Sequence, residues 1–236
     1  MEENRVEVAD ERLLAHATAE VKAEFYRKTY MHLALAFLLF TGIEAVFLST
    51  PAIVEIGLAM TEGWTWMAVL VGFMLVTSAA EGWAAKTENR GMQYAGFLLY
   101  IIAEAFIFVP MLYIAMAISD DGSLLFKALV VTLSLFLGLT AVVFVTKKDF
   151  SFMRSAIMII SVVAFGAIAA GMLFGFDLGL GFSLGMIMLA GGSILYQTSN
   201  LIHKYHPSQY VVASLGLFAS FMLLLWYVLR IFMSRD

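Results

Sequence analysis

The chain has 236 residues, of which 62% are hydrophobic and 14% charged. Soluble domains carry roughly 45–50% apolar and about 25% charged residues, so a soluble enzyme of this composition is excluded. The net charge is −4 with no cysteine, which leaves no basic surface for nucleic acid and excludes disulfides, thiolate metal sites and thiol catalysis.

Residues 1–30 hold seven of the 18 acids and five of the 14 Lys and Arg residues. The start, MEENRVEVADER, lacks the apolar core of a signal peptide. This predicts a polar cytosolic tail over 1–28 and a membrane domain over 29–236. Residues 10–28 contain no Gly or Pro and favour helix, within a tail expected to be loosely ordered.

A bilayer core about 30 Å thick needs roughly 20 apolar residues per helix. Seven stretches qualify, near 31–48, 64–85, 92–117, 124–145, 155–174, 180–202 and 209–232. The breaks are short and polar: 49–63, 86–90, 119–123, 146–154, 175–179 and 203–208. Such short breaks predict that each span runs antiparallel to the next. Eleven Lys and Arg fall on one side (Arg5, Arg12, Lys22, Arg27, Lys28, Lys86, Arg90, Lys147, Lys148, Arg154 and Lys204). Only three, Lys127, Arg230 and Arg235, fall on the other. The positive-inside rule then puts the amino terminus in the cytosol and the carboxyl terminus outside. Trp64, Trp66 and Trp226 fall toward the outer interface and Trp83 toward the inner one.

Three acids lie within the spans: Glu44, Glu81 and Glu104. Intramembrane carboxylates are costly and usually face the bundle interior or water. Glu104 lies about 18 Å beyond the inner start of the third span by the helical rise, near the midplane. Glu81 falls near the inner end of the second span and Glu44 toward the outer end of the first. Pro110 follows Glu104 and frees the Phe106 carbonyl, which invites a kink. The kink serves either an ion site or packing. The fifth and sixth spans carry the small-residue spacings Gly171–Gly175 and Gly181–Gly185, expected to bring helix backbones close within the bundle.

Catalytic patterns fail on depth and partners. Residues 181–185 read Gly-Phe-Ser-Leu-Gly, but Ser183 falls near the outer end of its span. All four histidines, His16, His32, His203 and His206, map to the inner side, so Ser183 has no base within reach. His203 and His206 form an i, i+3 pair in a loop with no nearby acid, and no metal site is expected there. The last span has no lysine for retinal, and no phosphate-binding loop is present. The chain is read as non-enzymatic, with no cofactor.

Three segments read together. They are Phe-Tyr-Arg-Lys-Thr-Tyr-Met at 25–31, Thr-Lys-Lys-Asp-Phe-Ser-Phe-Met at 146–153, and Leu-Tyr-Gln-Thr-Ser-Asn-Leu-Ile-His at 195–203. In this order they resemble the Bax inhibitor-1 family, and most closely its bacterial branch, over roughly residues 25–236. The resemblance implies an all-α fold in the bacterial inner membrane, with six helices around a central seventh. It implies two candidate activities: association with and restraint of the membrane protease FtsH, or a proton-regulated calcium leak. Leak-forming members carry an aspartate in helix six and another in helix seven. The matching positions here are Gln197 and, on a looser alignment, Ser220. Neither titrates near neutral pH, so the resemblance implies weakened or absent pH gating. Glu104 is similar to a helix-three glutamate of the family, with Ala105 where glycine usually follows. The depth of Glu81 matches Gln197, which suggests a hydrogen bond between them. Glu104, Glu81, Gln197, Ser220 and Glu44 are therefore the candidate polar interior, lipid the expected surroundings, and an FtsH-type protease or calcium ion the candidate partner or cargo.

Overall fold

The computed structural model describes residues 14–119 and 122–234. Among them a short 3₁₀ turn, Leu14–His16, precedes eight α-helices. These are α1 (Ala19–Leu48), α2 (Pro51–Met60), α3 (Gly63–Ala84), α4 (Arg90–Ile118), α5 (Ser123–Thr146), α6 (Met153–Phe174), α7 (Gly179–His203) and α8 (Tyr210–Met233). All but α2 are long and apolar enough to cross a membrane, and they coincide with the seven expected spans. The chain is a multi-pass, all-α membrane protein.

The last span forms the axis. α8 packs against α1, α3, α4, α5 and α7. It is buried along its length, from Val211 through Leu215, Phe218 and Met222 to Leu229. α3 and α6 bury little, and α6 turns Met158, Ile159, Val162 and Val163 outward. Lipid is as apolar as these side chains, so close packing rather than expulsion of water holds the helices together. The axis is lined with rings: Phe218 meets Phe37, Phe40 and Tyr100, and Phe221 meets Phe37 and Phe136, at centroid separations of 4.6–6.3 Å.

Three expectations need correction. First, the helix containing the first span starts at Ala19, capped by the Thr18 hydroxyl, which accepts from the Val21 N–H at 3.4 Å. Residues 19–30 are thus ordered rather than loose, and Phe25 and Thr29 on this extension are buried. The Leu14 N–H donates to the Tyr205 carbonyl at 2.9 Å, pinning the preceding turn to the α7–α8 loop. Residues 1–13 of the expected tail lie outside the described residues.

Second, the break expected at 49–63 contains α2. Pro51 starts it, where a missing N–H costs nothing, and Val54, Gly57 and Met60 are buried.

Third, the glycine spacings do not bring helices together. A Cβ added at Gly181 or Gly185 would have nothing within 4 Å, and Gly175, at φ 70°, ends α6 in the left-handed conformation that glycine adopts freely. The close approach is at Gly96 instead, where a Cβ would stand 2.6 Å from the Ala84 nitrogen and 2.8 Å from the Trp83 Cβ.

Candidate functional site

With seven spans, α1 begins at one end of the bundle and α8 finishes at the other. The amino end carries the polar chemistry. α7 delivers Gln197 against α8 at Gly216, where any Cβ would fall 2.9 Å from the Gln197 amide. The Tyr205 hydroxyl, from the loop that follows α7, donates to Gln197 Oε1 at 3.4 Å. The Ser220 hydroxyl, one turn beyond Gly216, donates to the Gly216 carbonyl at 2.9 Å. The residue across from the Gln197 amide is therefore Gly216, and Ser220 is engaged within its own helix.

Glu81 on α3 is exposed and stands close enough to act electrostatically on both Tyr205 and Tyr100. Tyr205, rather than Glu81, takes up the amide oxygen of Gln197. Burial, then the neighbouring Tyr196 and the Glu81 carboxylate, push the Tyr205 hydroxyl pKa upward, so it stays protonated and able to donate. Glu104, one turn beyond Tyr100 on α4, is buried and also acts on Tyr100. Tyr205, Glu81, Tyr100 and Glu104 thus form a series leading from the amino-end loop inward. Glu44 lies apart, near the far end of α1. It is 4% exposed, and neither carboxylate oxygen has a partner among the described residues.

Sequence reasoning missed a second set. Buried side-chain atoms of Thr29, Tyr30, Gln93, Thr140, Thr198 and Asn200 also lack partners among the described residues. Buried polar groups are normally bonded. All six sit on the stretches of their helices nearest the amino end of the bundle, the end at which Gln197 and Tyr205 meet. They are neutral and scattered over α1, α4, α5 and α7, so no charge or motif signals them. Only the fold shows that they share one end.

The motifs at 146–153 and 195–203 meet at this end. The Ser199 hydroxyl accepts from the Phe150 N–H at 2.9 Å and donates to Asp149 Oδ1 at 3.3 Å. His203 Nδ1 faces the Ser199 carbonyl at 3.0 Å, which requires a proton on that nitrogen. The Ser151 N–H donates to Asp149 Oδ1 at 2.8 Å. That bond, chiefly, holds the Asp149 pKa below the ordinary carboxylate range. Lys147, at φ 52°, bends the chain out of α5 into this loop, a conformation non-glycine residues take only when the surroundings hold it. On α1, His32 Nδ1 donates to the Lys28 carbonyl at 2.7 Å and the other ring nitrogen takes the Tyr94 hydroxyl at 2.9 Å. The ring packs 5.0 Å from Tyr210.

The two rejected motifs have structural roles. Ser183 is buried and donates to the Gly179 carbonyl at 3.4 Å. His206 bonds Ser208 within its own loop at 2.8 Å.

Fold and site together define a seven-span membrane protein with a buried central helix and a polar interior at one end. The family model described as inhibitor of apoptosis-promoting Bax1 matches residues 22–236, and the chain belongs to this family. Its relatives include the modulator of FtsH protease YccA of Escherichia coli, 30% identical over 89% of this chain and 90% of the relative. A BI1-like protein of Arabidopsis thaliana is 28% identical over 94% of this chain and 85% of its own length. An uncharacterised Pseudomonas aeruginosa protein is 32% identical over 58% of this chain, and the match spans 59% of that relative.

Proposed function

We propose that this chain is a non-enzymatic protein of the bacterial inner membrane that associates with and modulates a membrane-bound quality-control protease of the FtsH type. The observation that carries the reading is the 30% identity, nearly end to end, with a relative named as the modulator of that protease. The same relative in a second Escherichia coli strain is named an inner membrane protein. The Lys and Arg asymmetry supports an orientation with the amino end of the bundle in the cytosol. In that orientation the Ser199-pinned loop and the α7–α8 loop face the cytosol.

The test is affinity capture from membranes in mild detergent. Full-length protein retains the protease. A form lacking residues 2–13 keeps every described residue and retains it through membrane-domain contacts. Loss from both forms, with a control membrane partner recovered, contradicts the proposal.

One observation favours a second reading, a cation leak with weakened or absent pH gating. Glu81 and Glu104, with Tyr100 between them, form an inward polar series, and Glu44 is a further buried acid near the other end. Liposomes loaded with a calcium-sensitive dye test it directly.

A further inference from the structure

The carboxyl end of the bundle holds a different feature. A cavity of about 550 Å³ lies between α3, α4, α6 and α8. Its walls are apolar, among them Leu70, Phe108, Ile168 and Leu223. Ile114 and Phe176, which also line it, are exposed, so it opens on the lipid-facing side. Trp66 and Trp226 line it too, stacked at 6.0 Å with their planes 16° apart. Tryptophan collects at the membrane interface, where one end is apolar and the other wet.

The charged residues in the lining are Asp177 and Arg230. Arg230 Nη2 lies 3.4 Å from Asp177 Oδ1, and the Asp177 side chain is 83% exposed. The same oxygen accepts from the Gly179 N–H at 3.0 Å, which orients the carboxylate at the rim. An exposed pair this long contributes little to stability. It does place one positive and one negative group side by side over an apolar chamber at interface level.

We propose that this cavity binds one zwitterionic phospholipid, with an acyl chain in the chamber, the headgroup phosphate on Arg230 and the headgroup ammonium on Asp177. Charge complementarity selects the occupant. A guanidinium pairs with phosphate through a fork of donors, and the exposed Asp177 carboxylate beside it pairs with an ammonium. The volume falls within the roughly 300–1,000 Å³ of small-ligand pockets. A transmembrane helix about 10–12 Å across would fill it in about one turn, too short a contact for a partner span. In the orientation proposed above the site draws from the outer leaflet. It lies at the end of the bundle opposite Gln197 and Tyr205 and does not depend on the protease reading.

The experiment is native mass spectrometry of the purified full-length protein, delipidated in detergent and then exposed to phosphatidylethanolamine or phosphatidylglycerol. Wild type is expected to hold one phosphatidylethanolamine in preference to phosphatidylglycerol. Arg230→Gln should lower retention about tenfold, as expected for losing a charge-assisted bond, and Asp177→Asn should erase the preference between headgroups. Filling the chamber with Ile168→Phe and Met172→Phe should abolish retention, whereas Val163→Phe on the exposed face of α6 should not change it. Because the filled variant is the one most exposed to misfolding, the two rim variants stand as independent tests, and thermal melts confirm folding. Wild-type binding of either lipid that is unaltered by the rim variants overturns the proposal. So does equal retention of both lipids by wild type. A filled variant that melts like wild type and still keeps its lipid overturns it as well.

Discussion

Gly96→Ala is the sharpest test of how the bundle is packed. A Cβ at this position would stand 2.6 Å from the Ala84 nitrogen and 2.8 Å from the Trp83 Cβ, with the Ala80 carbonyl closer still. Ordinary contact lies near 3.5–4.0 Å, so α3 and α4 must part by about 1 Å. The obstacles include backbone atoms, which cannot rotate away. A gap of that size forfeits about a quarter to a half of each dispersion contact along the interface. Overpacking typically costs about 1–3 kcal/mol, and the better helix propensity of alanine returns up to about 1 kcal/mol. With backbone atoms as the obstacle the overpacking cost lies toward the upper part of its range, and the net expectation is a loss of up to about 2 kcal/mol. Gly185→Ala meets nothing within 4 Å, keeps the propensity gain and should be neutral or stabilising. Gly216→Ala meets first the end of the Gln197 side chain, at 2.9 Å, so its cost should be smaller and should fall in the double variant with Gln197→Ala. Thermal unfolding of the purified variants in one detergent gives the order. If Gly96→Ala melts with wild type while Gly185→Ala is destabilised, α3 and α4 do not meet at Gly96 and the packing is wrong.

Further outcomes follow from the site. Ser199→Ala leaves the Phe150 N–H without its acceptor and should cost about 1–3 kcal/mol, read in the same melts. Asp149 has a depressed pKa, so its contribution is present above the ordinary carboxylate pKa and is lost as pH falls through that range toward the folded value; Asp149→Asn should flatten the acid side of a melting-temperature profile and leave neutral pH less stable than wild type. Glu44→Leu replaces a buried carboxylate whose oxygens have no partner among the described residues and should raise stability by about 1–3 kcal/mol, and a drop in melting temperature would show that the acid is well bonded. Any calcium flux in dye-loaded liposomes should be weak and nearly flat between about pH 6 and 8, where Gln197 and Ser220 do not titrate, and a steep proton dependence would assign gating to Glu81 and Glu104.

The spans were legible because a run of apolar residues interrupted by short polar breaks has one reading in a bilayer. The central position of the last span was legible only through the family resemblance. Residues 19–30 were harder, since an alternating charge pattern describes a solvated face and says nothing of Phe25 and Thr29 beneath it. α2 was hidden because ten residues are too few to span and too many for a turn. The glycine spacings misled because spacing alone does not say which face meets a neighbour: Gly96 has no small partner at i+4, and its close neighbours Ala80 and Ala84 lie on another helix. Glu81 and Glu104 were visible as acids within apolar runs, whereas Gln197 was legible only through the family resemblance. Tyr205 and Ser199, which give Gln197 and Asp149 their partners, are ordinary loop and helix-end residues until the fold brings the segments together.

The central claim is best tested by co-reconstituting the purified chain with an FtsH-type protease and a membrane substrate in liposomes, and following substrate loss against the molar ratio of the two proteins. Degradation that slows saturably as this chain is added, with the chain recovered in the protease complex, is the expected result. Degradation that is unchanged at every ratio, in vesicles where both proteins are correctly oriented, would contradict it.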